Sequence, residues 1–199
     1  TCLDPGVRTF LTGCSLCGTT GHGEELGCPR ATLCALTGRL NNLSKLMEEP
    51  ETRARKRQRL KRVRFRLHSR IQHLVDDVHW KAAHLLCTQY DVVLLPSFGT
   101  QPMVTTQGHG SWKRKIGKNT ARRMLLRSHY KFKQRLLEKA KHHGKLVLVV
   151  NEAYTSKTCT VCGTQNRQLG SSKTFRCASP VCRKILDRDL NGARNVLLR

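Results

Sequence analysis

The sequence predicts an α/β fold with a small metal-binding module inserted near the C-terminus. Continuous apolar runs at 91–96 (DVVLLP) and 145–150 (KLVLVV) have the length of buried, parallel strands. The segment between them carries apolar residues at helical spacing, which predicts a right-handed strand, helix, strand crossover. Two cysteine pairs then follow in the frames CTVCG and CASPVC, which is the usual arrangement of a small zinc module.

The remaining elements can be predicted in chain order. Residues 2–12 surround a DPG turn and predict a first hairpin, and a short strand is expected around 24–26. Helical periodicity runs over 32–47 and again from about 51 to 87. A polar loop reaching Gly117 follows the strand at 91–96, and one helix is expected over 119–142, ended by Gly144. A short final helix follows the cysteine pairs.

The composition indicates a polyanionic partner. The chain has 37 Lys and Arg against 13 Asp and Glu, a formal net charge of +24. Such an excess repels itself in a free globule and is relieved by nucleic acid. No apolar run is long enough to cross a bilayer and the first residues do not resemble a signal peptide, so we expect no membrane association and an intracellular protein, nuclear in a eukaryote. Ten cysteines in such a compartment favour metal ligands and buried thiols over disulfides.

Four cysteines are predicted to hold one structural Zn²⁺: Cys159, Cys162, Cys177 and Cys182. An all-cysteine set closes the coordination sphere, so the zinc is expected to hold shape and not to catalyse. The alternative is four unconnected buried thiols. A looser group, Cys14, Cys17, Cys28 and Cys34, has irregular spacing, and we interpret it as incidental thiols and not as a second zinc site.

Three acidic residues stand where catalytic carboxylates are expected. Asp4 ends the first strand, Glu152 follows the strand at 145–150, and Asp189 lies in the frame DRDLN. Carboxylates converging from separate segments can hold the Mg²⁺ ions that phosphodiester hydrolysis requires. The alternatives are structural: Asp4 suits a DPG turn, and one of Asp187 and Asp189 is expected to cap the last helix.

Two basic clusters are predicted to contact nucleic acid, mainly through its phosphates. The alternative for the first is a solvated helix face, and that run could also serve as a nuclear import signal. The predicted contact residues are Arg53, Arg55, Lys56, Arg57, Arg59, Lys61 and Arg62 in the first cluster, and Lys113, Arg114 and Lys115 in the second.

The motifs DPGVRTFLT, EAYTSKTCTVCG and DRDLNGARNVL, in this order and spacing, resemble the RuvC-type nuclease core and inserted zinc ribbon of the transposon-encoded TnpB and Fanzor proteins, relatives of the type V CRISPR nucleases. The resemblance implies an RNase-H-like fold that cuts DNA with Mg²⁺ under the direction of a guide RNA. It also implies the domains: a core over 1–154 with a basic helical insertion at about 32–87, a zinc ribbon over 155–186, and a last core segment over 187–199.

The resemblance assigns the catalytic residues one by one. Asp4 matches the first aspartate of the family and Asp189 the last. The common TnpB glutamate would follow the strand at 91–96, where this chain has Pro96 and Ser97. The chain is similar instead to Fanzor-like variants whose glutamate follows the next strand, here Glu152. Neighbouring parallel strands lie about 4.8 Å apart, so a glutamate one strand over can still reach a shared ion.

Two functions remain open at this point. One is an RNA-guided, Mg²⁺-dependent DNA endonuclease core, which the three carboxylates favour. The other is a truncated or inactive zinc-containing remnant that binds DNA or RNA, favoured by the small room for guide-binding regions. We expect these residues to be a domain or a truncated product that binds nucleic acid, with a guide RNA contacted through regions partly absent from the chain.

Overall fold

Seven strands and five helices make up the part of the chain that the structure, a computed structural model, describes: residues 1–6, 9–15, 24–26, 30–100, 104, 116–170 and 172–198. The strands are β1 (Cys2–Pro5), β2 (Leu11–Cys14), β3 (Glu24–Leu26), β4 (Val92–Pro96), β5 (Leu146–Val150), β6 (Thr174–Arg176) and β7 (Ile185–Asp187). The helices are α1 (Arg30–Glu48), α2 (Ala54–Gln89), α3 (Lys118–Arg127), α4 (His129–His142) and α5 (Arg188–Leu197).

The main sheet is five-stranded and mixed, in the order β3-β2-β1-β4-β5. The first hairpin pairs β1 with β2 antiparallel, and β3 continues it on the far side of β2. The three strands β1, β4 and β5 run parallel, with Pro96 opposite Val150 at the end of the β4–β5 ladder. The predicted α/β class and the parallel pairing of the two apolar runs are confirmed.

Helices cover both faces of this sheet. The strand period of two sends Leu3 to one face and Cys2 to the other. Leu3 packs with Val93, Leu95 and the apolar faces of α2 and α4. Cys2 packs with α5, and its thiol donates to the carbonyl of Ala193 at 2.8 Å. The same alternation places Asp4 on the α5 face, at the carboxyl end of β1.

Only the C-terminal half of α2 belongs to the core. The buried residues of this 36-residue helix begin at Ile71. A second apolar cluster joins Ile71 and Val75 to Leu33, Leu36 and Leu40 of α1. The arginine-rich N-terminal half of α2 therefore leaves the sheet and contacts mainly α1.

The single helix predicted over 119–142 is wrong, because Ser128 separates α3 from α4. Its backbone is left-handed, with φ 47° and ψ 51°. The break turns the carbonyl of Arg127 toward α2, where it accepts a hydrogen bond from His79 Nε2 at 2.9 Å. Arg135 Nη1 donates to the other ring nitrogen at 3.2 Å, and burial lowers the pKa of this neutral imidazole to about 4.

Several predicted residues lie outside the described ranges, namely Lys113, Arg114, Lys115, Cys17 and Cys28. Among the helices that are described, none combines the length and the apolar character that a membrane span requires. Cys14 is buried in β2 and Cys34 lies half-buried on α1.

A candidate metal centre and a carboxylate cluster

The structure brings together the four cysteines of the two late pairs. Their sulfurs all lie within 4.8 Å of one another, the only such group of three or more metal-ligand residues in the described part of the chain. Cys159 and Cys162 flank one turn, whereas Cys177 and Cys182 flank the turn between β6 and β7. Phe175 and Leu169 form a small apolar cluster under the site.

The separations of the sulfurs fit one tetrahedral ion. Cys159 Sγ lies 3.9 Å from Cys182 Sγ, and Cys162 Sγ lies 3.4 Å from Cys177 Sγ. Four thiolates at about 2.3 Å from Zn²⁺ are about 3.8 Å apart, whereas a disulfide requires about 2.05 Å. The cluster can therefore hold a metal such as zinc.

Hydrogen bonds favour ionised sulfur at Cys162, whereas burial and the neighbouring thiols raise the pKa of Cys177 to about 12 despite the amide of Ser179. The Thr164 hydroxyl and amide lower the pKa of the Cys162 thiol to about 6. The amide of Ser179 lies 3.4 Å from Cys177 Sγ as a donor. Donors of this kind orient thiolates around a metal and stabilise their charge.

Asp4 lies at the carboxyl end of β1 and faces α5 across a narrow gap. A Cβ added to Gly192 would stand 3.0 Å from Asp4 Oδ2 and 3.9 Å from the Cα of Ser156. The glycine in the frame DRDLNGARN is thus explained by close approach: its missing side chain leaves room for the aspartate. Sequence reasoning missed this role, although a glycine within a helix is a signal of close packing.

Asp189 and Glu152 both act on Asp4. Burial, then the charge of Asp189, then that of Glu152 raise the pKa of Asp4 to about 7, and Arg188 opposes them. Burial also raises the pKa of Glu152. Three carboxyl groups from β1, the segment after β5 and α5 therefore share one region, and mutual repulsion there would be relieved by a divalent cation.

The three groups are spread out and do not form a tight triad. They are absent from the described groups whose ligand atoms all lie within 4.8 Å of one another. Strand β4 separates β1 from β5, so Asp4 and the strand preceding Glu152 are about 9.6 Å apart in the sheet.

Of the two aspartates predicted as possible caps of the last helix, Asp187 is the cap. Its Oδ1 accepts from the amides of Asp189 at 2.9 Å and Leu190 at 3.2 Å. Asp189 is therefore not the cap, and it lies in the first turn of α5. The neighbouring Arg188 donates to the carbonyls of Gly170 and Ser172, which holds α5 against the cysteine module.

Two asparagines of α5 form hydrogen bonds with the backbone of the segment that follows Glu152. Asn191 is fully buried; its Nδ2 donates to the Thr158 carbonyl at 2.7 Å and its Oδ1 accepts from the Thr160 amide at 3.0 Å. One turn later, Asn195 Nδ2 lies 2.8 Å from the Thr155 carbonyl and 2.7 Å from that of Thr158. Sequence reasoning missed both residues, although their spacing of four places them on one helix face.

The first basic cluster lies on the exposed half of α2. Arg53 immediately precedes the helix, and the side chains of Arg55, Lys56, Arg59, Lys61 and Arg62 are exposed, with Arg57 half-buried. These cations stand apart from the carboxylates, because they lie on the N-terminal half of α2, which does not pack on the sheet. Their nucleic-acid contacts remain a prediction.

Known proteins match the chain along nearly all of its length. Residues 129–196 match the family model "Cas12f1-like, TNB domain". The transposase-like protein A625R of Paramecium bursaria Chlorella virus 1 is 33% identical over 198 residues, and TnpB-like protein L79 of Acanthamoeba polyphaga mimivirus is 29% identical over 201. The chain is therefore similar to TnpB-like and Cas12f1-like proteins over nearly all of its own length.

The chain spans less than half the length of these relatives. It covers 42% of A625R and 36% of L79. A solved structure of Cas12f1, determined with sgRNA and target DNA, superposes with a TM-score of 0.62 at 16% identity, over 98% of this chain and 48% of that one. At that identity the likeness establishes the α/β fold alone.

Proposed function

We propose that this chain is the catalytic core of an RNA-guided, Mg²⁺-dependent DNA endonuclease. The core would be RNase-H-like over 1–154 and 187–199, with the basic insertion at about 32–87 and a zinc ribbon over 155–186. The observation that carries the proposal is the position of Asp4: it lies where a parallel strand ends, with carboxylates from two other segments acting on it. Carboxyl ends of parallel strands are where α/β folds place their active sites.

The carboxylates and the cysteine cluster have distinct parts in this proposal. The charges of Asp189 and Glu152 both act on Asp4, so these three carboxylates together would hold the ions. Two bound Mg²⁺ ions would stabilise the attacking and the leaving oxygen of an in-line displacement. The cysteine cluster, filled by Zn²⁺, would hold the segment after Glu152 in place and would take no part in the chemistry.

The partners in this proposal are DNA as substrate and a guide RNA bound by the longer protein. The similarity to TnpB-like proteins supports both, as does the net charge of +24. The basic half of α2 would contact phosphates without reading sequence. We also propose an intracellular location, nuclear in a eukaryotic host, where the same basic run would serve for import.

The test replaces each carboxylate by its amide in the longer protein: Asp4→Asn, Glu152→Gln and Asp189→Asn. Cleavage of labelled DNA should fall about a hundredfold or more, since groups that stabilise transition-state charge contribute on that scale. Glu138→Gln, an exposed carboxylate on α4, is the matched control and should cleave normally. Unchanged cleavage by Glu152→Gln would reject the relocated glutamate.

A second measurement separates the core from an inactive remnant. Mn²⁺ is a spectroscopic substitute for Mg²⁺, and its binding to the zinc-loaded chain can be followed by electron paramagnetic resonance. Saturable binding that Asp4→Asn removes supports a nuclease core. A wild-type chain that binds nucleic acid and leaves Mn²⁺ free would identify the remnant.

A further inference from the structure

Away from the carboxylates, helices α1, α2 and α3 diverge and leave an open groove of about 1090 Å³. Leu40 and Met47 of α1 and Leu125 of α3 line its apolar part. Arg62 and Arg66 of α2 and Arg122 of α3 line it as well, and the described lining residues include no acidic side chain. The groove therefore combines an apolar floor with a cationic rim.

Phe65 is the residue that distinguishes this groove from an ordinary basic surface. It lines the groove with 76% of its side chain exposed, and Leu125 across from it is 57% exposed. A surface that binds phosphates alone requires no aromatic side chain between its arginines. An exposed aromatic side chain beside cations is instead the combination on which unpaired bases stack.

The helix that carries Phe65 is poorly stabilised by its own sequence. From Ala54 to Arg70 it has nine Lys and Arg and no acidic residue. Like charges one turn apart repel, and cations near a helix N-terminus oppose the helix dipole. A bound polyanion would remove both penalties at once.

We infer that this groove binds a single-stranded nucleic-acid segment, with unstacked bases against Phe65 and the apolar floor and with phosphates on the arginine rim. Duplex DNA keeps its bases stacked inside and would reach the rim alone. An acidic peptide would satisfy the charge without using the ring. The site lies outside the carboxylate cluster, so it does not depend on cleavage.

The decisive probe is a labelled oligothymidine of about 15 nucleotides, within the usual size of such sites, compared by fluorescence anisotropy with an abasic strand of equal phosphate count. We expect the abasic strand to bind roughly tenfold more weakly, because base stacking is lost. Equal affinity for the two strands would overturn the inference, as would tighter binding of a duplex of that length or of an oligoglutamate.

Variants of Phe65 test the same point. Phe65→Leu should weaken oligothymidine binding about tenfold while the salt dependence stays the same, and Phe65→Trp should restore the affinity. Arg66→Ala should instead reduce the slope of log affinity against log salt by about one. Val63→Ala is the matched control, since Val63 is 47% exposed on the same helix outside the groove. Wild-type binding by Phe65→Leu would refute stacking.

Folding does not confound this test, because the Phe65 side chain projects into solvent. Helical circular dichroism should be the same for all the variants. The charge-matched abasic strand needs no variant at all. Amide variants of the carboxylates should bind oligothymidine normally, so a failure of the proposed nuclease and a failure of this groove give different results.

Discussion

At the scale of single residues, Gly192 shows how one missing side chain serves the site. It lies in α5, where alanine would ordinarily be preferred by roughly 1 kcal/mol. A Cβ there would stand 3.0 Å from Asp4 Oδ2, closer than most such contacts in proteins. Helix propensity favours alanine at this position, whereas the close approach of Asp4 requires glycine. The chain has glycine, so the requirement of the site outweighs the helix propensity.

Replacing Gly192 by alanine should separate stability from function. We expect little change in the free energy of unfolding, since the gain in helix propensity offsets the tight contact, but Mn²⁺ affinity and DNA cleavage should fall about tenfold or more as the Asp4 carboxylate is displaced. Urea denaturation and paramagnetic resonance give the two readouts. Gly38→Ala is the control: nothing lies within 4 Å of its added Cβ in α1, so it should stabilise by about 0.5–1 kcal/mol and leave metal binding alone.

The pKa of Asp4 predicts how stability depends on pH. In the folded protein it is raised from 3.8 to about 7, so the folded state keeps a proton that the unfolded state releases between these values. Stability therefore falls as pH rises through this window. Burial lowers the pKa of His79 to about 4 and of His129 to about 3, and these residues contribute the opposite slope below about pH 6.5.

Asp4→Asn should remove only the first contribution. In zinc-loaded protein without Mg²⁺, the variant should gain stability relative to wild type as pH rises from about 5.5 to 7.5, measured as the shift in urea midpoint. The exposed carboxylate variant Asp77→Asn should show a constant difference. A pH-independent difference for Asp4→Asn would mean that its carboxyl group titrates normally.

At the scale of elements, α5 joins the two candidate metal sites. Asp189 in its first turn acts on Asp4, while Asn191 and Asn195 bind the backbone over 155–160. That backbone segment begins three residues after Glu152 and contains Cys159. The asparagine pair thus holds the segment that follows Glu152 against the helix that carries Asp189.

Asn195→Ala should loosen this connection without removing the zinc. Two carbonyls lose a donor, so we expect a loss of stability of about 1–2 kcal/mol and a several-fold weaker Mn²⁺ affinity, with zinc content unchanged by elemental analysis. Asn191→Ala should be more severe, because the buried amide of Thr160 loses its acceptor as well. Asn42→Ala, at an exposed position on α1, serves as a comparison outside α5. Destabilisation with an unchanged Mn²⁺ affinity would reduce the pair to a purely structural role.

The elements that the sequence predicted correctly are those set by local pattern. The strands at 91–96 and 145–150 are continuous apolar runs, and the long helices begin and end within three residues of their periodic segments. The break at Ser128 escaped prediction because serine breaks no helix by itself. The break accompanies a hydrogen bond between the Arg127 carbonyl and His79, which are 48 positions apart, so no local pattern indicates it.

The candidate site also has residues that local patterns indicate and residues that only distant contacts explain. Strand ends and cysteine spacing pointed to Asp4, Glu152 and the four thiols, since both signals are local. The partners of Asn191 and Asn195 are main-chain groups over 30 positions away. Any residue type can supply a main-chain group, so the sequence around the partners does not indicate these bonds. The separation of Asp4 from Glu152 likewise depends on strand order, which the sequence alone left open.

At the scale of the whole molecule, the cysteine module and the sheet have apolar cores of very different size. The module has two three-residue strands and an apolar cluster of three buried residues, Cys159, Leu169 and Phe175. In the described part of the chain, the sheet and the helices α2 and α4 that cover it share one cluster of thirteen buried residues. A core as small as that of the module depends on its metal for folding.

Removing zinc should therefore unfold the module and leave the sheet intact. In hydrogen exchange followed by mass spectrometry, residues 155–187 should lose at least about tenfold of their protection on chelation, while α2, α4, β4 and β5 stay protected. The α5 helix should become intermediate, because its asparagines lose their partners while Ala193 and Val196 still pack on the sheet. Mn²⁺ affinity should fall together with the protection of α5, and adding Zn²⁺ back should restore both. Protection of the module that survives verified zinc loss would show that the four sulfurs do not hold a structural ion, and unfolding of β4 and β5 would show that the two parts are a single cooperative unit.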